Sequence, residues 1–162
     1  MATDREIVAR QIGREPRAFR RVAVRCPFGK PAVTEQHPYA ADGRPFPTTY
    51  YVTCPHLVAE ISRLEADGGV ERWTALAASD KLLQASRAWA DAESARIRKE
   101  LAGTAEGTAL DTGVGGQSRT GSLKCLHAHA AFALAHPRYE LGLRILAELP
   151  QPWPDRCCTG DA

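Results

Sequence analysis

Cys125 and His129 stand four residues apart in the run Lys124-Cys-Leu-His-Ala-His129. On a helix, positions i and i+4 share a face, so a thiol and an imidazole would project together. Cys26 and Cys54 each close a stretch of strand-like sequence. Three cysteines and one histidine are a frequent structural zinc set. Cys26, Cys54, Cys125 and His129 are therefore the expected metal ligands, with Cys157 or Cys158 as substitutes for His129. Zinc is the leading cofactor, and an iron–sulfur cluster on the three cysteines is the lesser alternative. His127 is disfavoured as a co-ligand, because it lies about 200° around a helix from Cys125 at 3.6 residues per turn. No Cys-x-x-Cys pair reinforces the set.

The same residues admit other chemistry. Cys54 or Cys125 could act as a nucleophile, with His129 or His127 as base and Glu65 as orienter. Cys54 at the start of a helix would have its thiolate favoured by the helix dipole, which suits a redox thiol. The glycine-rich stretch from Gly113 to Gly121 precedes a helix, where free backbone N–H groups favour an anion. Gly115, Gly116, Arg119, Lys124 and His127 are the expected contacts to a phosphorylated ligand. This is not a Walker A loop, because Ser122 stands where its lysine belongs, and no strand precedes it as a dinucleotide fingerprint requires.

The elements that must position these residues follow from periodicity and punctuation. Residues 4–12 read as a short helix. Residues 19–26 read as a strand with Val22, Val24 and Cys26 on one face and Arg21 and Arg25 on the other. Residues 31–36 could return as a second strand. Residues 48–54 are rich in β-branched and aromatic types and form the best strand in the chain. If the first and third strands are neighbours about 4.8 Å apart, their terminal thiols meet. If 31–36 lies between them, the gap doubles and the pairing fails. Pro55 suits a first helical position, which makes Cys54 the N-cap of a helix ended by Gly68-Gly69. Further helices are expected over 70–78, from Asp80 to Leu101, from Ser122 to His136 and from Tyr139 to Leu149. The stretch from Ala102 to Gly121 reads as an extended loop.

Ser62-Arg63-Leu64-Glu65 reads as a helix interior with an exposed Arg/Glu edge. The fold class is α+β: a small, mainly antiparallel three-stranded sheet covered by four to five helices. One domain is expected over 1–150, followed by a loosely ordered tail, 151–162.

Composition narrows the function classes. The chain has 162 residues, 44 % of them hydrophobic and 25 % charged, enough to bury a core without disulfides. A net charge of +2 names no polyanionic partner. Seven arginines between Arg5 and Arg25 face only Asp4, Glu6 and Glu15, but no aromatic interleaving accompanies them, which speaks against nucleic acid. No apolar run approaches the ~18 residues of a membrane span, and the first residues lack a signal-peptide core. A cytoplasmic location is expected, where clustered cysteines suit metals or catalysis better than disulfides.

Several blocks resemble the domain of unknown function 501 family of bacterial, mainly actinobacterial, proteins. They are Gln11-Ile-Gly-Arg-Glu-Pro-Arg17, Cys26-Pro-Phe-Gly-Lys-Pro-Ala-Val33, Phe46-Pro-Thr-Thr-Tyr-Tyr-Val-Thr-Cys-Pro55, Ile61-Ser-Arg-Leu-Glu65, Gly113-Val-Gly-Gly116 and Lys124-Cys-Leu-His-Ala-His129. The resemblance implies a small cytoplasmic protein, often encoded beside a septum-formation initiator and an exopolyphosphatase, and no mechanism. The expected function is thus a regulatory or interaction protein with an unidentified protein partner and a structural zinc-type site. A phosphate-ligand enzyme or sensor and a thiol redox protein using Cys54 are the alternatives.

Overall fold

Six helices and three strands make up the computed structural model, which describes residues 1–116 and 121–159. Arg119, expected at the phosphate site, lies outside the described residues. Helix α1 (Asp4–Ile12) opens with a capping box: the Thr3 hydroxyl accepts from the Glu6 N–H, and the Glu6 carboxylate accepts from the Thr3 N–H. Strands β1 (Phe19–Arg25), β2 (Pro31–Gln36) and β3 (Tyr50–Val52) form one antiparallel sheet in the order β1-β2-β3. Helices α2 (Pro55–Ala66), α3 (Gly69–Ser79), α4 (Lys81–Ala102), α5 (Leu126–Ala135) and α6 (Glu140–Glu148) complete the chain. Among the described residues, no helix is long and apolar enough to cross a membrane.

The middle strand is β2, and every one of its residues is buried. A glutamate there needs partners. Glu35 accepts from Arg21 Nε at 2.8 Å, from Arg20 and from the Tyr50 hydroxyl at 3.2 Å. Burial alone would push its carboxyl up, but Arg21 and Arg20 outweigh burial and hold it below the usual range. Strand β1 departs from simple alternation. Register shifts fall between Phe19 and Arg21, between Val22 and Val24, and between Val24 and Arg25, so residues 22–24 are all half-buried.

The core is organised around α5. Its sequence, Leu-His-Ala-His-Ala-Ala-Phe-Ala-Leu-Ala, is apolar nearly all round, and seven of its ten residues are buried. It lies on the sheet, chiefly against β3, with α6 on its other side. Alanines let the neighbours approach closely. A Cβ built on Gly142 of α6 would stand 2.5 Å from the His129 carbonyl oxygen and 2.6 Å from the Ala133 Cβ.

His129 belongs to this core. It is fully buried, and its Nδ1 is 2.7 Å from the Tyr139 hydroxyl. Its Nε2 is buried with no well-formed hydrogen bond.

Residues 109–116, at the start of the glycine-rich region, are a loop fastened to α4. One face of α4 carries the half-buried Arg87 and the buried Asp91, Ser94 and Arg98, a polar seam at helical spacing. The buried Arg98 donates to the Ala109 carbonyl through Nε and Nη2, at 3.1 and 2.9 Å. Asp91 accepts from the Val114 N–H at 2.9 Å. Short 3-10 turns fill Thr108–Asp111 and Val114–Gly116. Gly116 has φ +77 and abuts Pro47, where a Cβ would fall 2.4 Å from the proline Cβ. The stretch therefore fills space between α4 and the loop before β3.

Two predictions follow from the α5 core. Gly142→Ala should destabilise the protein by about 1–3 kcal/mol through overpacking against α5, measured by urea unfolding; an unchanged midpoint would show that α6 stands off. The second concerns His129, which burial and the Arg87 charge push down to about 4. A histidine in the unfolded chain titrates near 6.5. Folding thus favours the neutral form; this contribution is complete above about pH 6.5 and is lost as pH falls towards 4. We expect about 3 kcal/mol of stability to disappear over that window from this residue. His136, also lowered, adds to the loss, and His127, raised, opposes it. Urea titrations at about pH 7 and pH 4.5 should show a markedly smaller acid loss for His129→Leu than for the wild type; equal losses would refute the assignment.

Candidate metal centre

The N-terminus of α5 meets one face of α2, and the candidate centre forms where they touch. Val58, Ser62 and Glu65 lie at helical spacing on that face. Glu65 Oε1 accepts from the Leu126 N–H at 2.7 Å. A carboxylate from another helix thereby caps α5, where the dipole favours negative charge. The helix consequently starts at Leu126 rather than at Ser122 as its sequence suggests. Residues 122–125 precede the helix without regular structure, with Lys124 in the left-handed region (φ 59) and Cys125 as N-cap (φ −146, ψ 115).

That shift changes which side chains meet. An N-cap side chain folds over the first helical turn instead of following 100° steps around the axis. Cys125 Sγ therefore lies 3.7 Å from His127 Nδ1, whereas the helix geometry expected for this segment separates those two residues. His127 Nδ1 is also 3.2 Å from Glu65 Oε1. The ligand atoms of Glu65, Cys125 and His127 all lie within 4.8 Å of one another. Among the described residues this is the one group of three or more such side chains close enough to hold an ion.

The other nitrogen of His127 is engaged from behind. Nε2 is 3.3 Å from the Val58 carbonyl and 3.2 Å from Ser62 Oγ. A carbonyl only accepts, so Nε2 carries a proton, and the lone pair or second proton falls on Nδ1. Burial alone would hold His127 down, but the Cys125 sulfur and the Glu65 carboxylate together set it above the ordinary histidine value. A proton on Nδ1 satisfies both neighbours. Beside the group, a cleft of about 310 Å³ is lined by Tyr51, Val52, Val58, Ser62, Cys125 and His127 among others.

The four ligands expected from sequence do not assemble as a set. Because β2 lies between β1 and β3, the strands ending near Cys26 and Cys54 are two spacings apart, about 10 Å. Cys26 is buried beside the 27–30 turn, with its N–H donating to the Lys30 carbonyl at 2.9 Å. Cys54 is the N-cap of α2, as Pro55 predicts, and is buried; its sulfur neighbour is Cys158 at 3.7 Å. His129 is held by Tyr139. Only Cys125 of the four takes part in the cluster.

Of the expected phosphate contacts, Gly115 packs on Ala128 and the Gly116 N–H donates to the Gly113 carbonyl. Lys124 is exposed, and His127 turns towards Glu65. The α5 N-terminus already holds an anion, the Glu65 carboxylate. Ser62 looks like a bland helix edge in sequence, and Glu65, though a candidate orienter beside Cys125 and His127, has no distance to them fixed by it. Their role depends on the crossing of α2 and α5, which local pattern does not encode.

No curated protein and no solved structure matches the chain. The sequence pattern of DUF501, a family described as protein of unknown function, matches residues 22–143. That span contains β1 from Val22 onward, β2, β3, α2 to α5 and all three clustered side chains, and the chain belongs to the DUF501 family.

Proposed function

We propose that this chain is a zinc-type metal-binding protein whose ligands are Cys125 Sγ, His127 Nδ1 and Glu65 Oε1. The observation that carries the reading is the spacing of those three atoms. Tetrahedral zinc, with bonds of about 2.3 Å to sulfur and about 2.0 Å to nitrogen and oxygen, sets ligand S···N at about 3.5 Å and N···O at about 3.3 Å. The corresponding distances here are 3.7 and 3.2 Å. The support behind the imidazole agrees, since metal-bound histidines usually donate their other N–H to a carbonyl or carboxylate. Val58 supplies that carbonyl.

A nucleophile relay of the same residues is less well served. A base must take the thiol proton on one nitrogen and be oriented through the other. Here the sulfur and the carboxylate address the same nitrogen. Three protein ligands also leave a tetrahedral ion one position for water or a ligand, as in reactive rather than closed structural centres. Cys125 and His127 line the adjoining cleft, so a small molecule entering it would meet that position.

The test is metal analysis of the untagged protein beside Cys125→Ser and His127→Ala. We expect about one zinc per wild-type chain, with affinity at least about tenfold weaker in each variant. Binding displaces a proton from His127 and the thiol, so affinity should fall as pH is lowered. Chelation should strip the metal while the fold persists. A folded wild type that binds no metal, or variants that bind as well as the wild type, would overturn the reading.

A further inference from the structure

We propose that Cys54 and Cys158 are a disulfide-forming pair that latches the C-terminal segment onto the N-terminus of α2. Their sulfurs are 3.7 Å apart although the residues are 104 positions apart in sequence. A disulfide is about 2.05 Å long, so under 2 Å of approach completes the bond. Cys158 is exposed and Cys54 is buried. The segment ahead of Cys158 is already seated at two points: the Gln151 carbonyl accepts from His56 Nε2 at 2.7 Å, and Trp153 packs against the core. Cys158 also lies beyond residues 22–143, so the latch belongs to this chain's own tail.

The oxidant is a low-molecular-weight disulfide. The Cys158 thiolate attacks one of its sulfurs, releasing one thiol and forming a mixed disulfide. Cys54 then gives up its proton and attacks the Cys158 sulfur, which releases the second thiol. Two protein thiols are oxidised to one disulfide, and the reagent is reduced to two thiols. The order follows from access and protonation: burial pushes the Cys54 thiol up to about 11, so the exposed Cys158 reacts first.

The experiment incubates the full chain with oxidised glutathione or with dithiothreitol, then maps peptides without reduction and records the thermal midpoint. A Cys54–Cys158 cross-linked peptide is expected, with a midpoint several degrees higher in the oxidised protein, because the bond closes a long loop. Cys158→Ser should lose both the peptide and the shift, while Cys157→Ser keeps them. Cys125→Ser should cross-link like the wild type, which separates this test from the fate of the metal reading. Glutathione left on Cys158, a Cys157–Cys158 bond, or no midpoint difference would overturn the proposal.

Discussion

The contact between the Glu65 carboxylate and the Leu126 N–H governs the arrangement described above. It satisfies an orphan donor at the end of a nearly all-apolar helix. It also fixes where that helix begins. Once Leu126 is the first helical residue, Cys125 becomes the N-cap and its sulfur turns back over His127. The same carboxylate oxygen then serves the imidazole. One charge thus caps the central helix, joins the Cys125 sulfur in raising the His127 pKa and is the third ligand atom of the proposed metal site. The site is positioned by rigid elements, since α2 and α5 both pack into the core.

The surrounding structure separates the other polar groups by role. His129, two residues further on, is held neutral among apolar neighbours and bonds Tyr139. The seam on α4 fastens Ala109 and Val114 through Arg98 and Asp91. Glu35 is paired with Arg20 and Arg21 and accepts from the Tyr50 hydroxyl inside the sheet. Among the described residues, a thiol, an imidazole and a carboxylate converge at the α2–α5 junction alone, beside a cleft.

Local chemistry was legible in the sequence. Pro55 placed Cys54 at the N-cap of α2, Asp80 marked the start of α4 by accepting from Leu82 and Leu83, and the three strands appear near their expected positions. The α+β class follows from such features, and the family from the resemblance of the six sequence blocks. What escaped were non-local relations. Strand order decides whether Cys26 and Cys54 meet, and periodicity does not carry strand order. The bulges of β1 break the parity that put Cys26 on a shared face. The start of α5 is set by a glutamate 61 positions away. The thiol, imidazole and carboxylate are each recognisable as chemistry, but a helix beginning at Ser122 favours His129 over His127 as the metal-binding partner of Cys125.

X-ray absorption at the zinc edge of the zinc-loaded, reduced protein tests the central claim most directly. One sulfur at about 2.3 Å with the remaining ligands nitrogen or oxygen at about 2.0 Å is the predicted shell, and the sulfur should vanish in Cys125→Ser. A shell with two or more sulfurs would mean that Cys26, Cys54 or a tail cysteine binds instead, and would contradict the account.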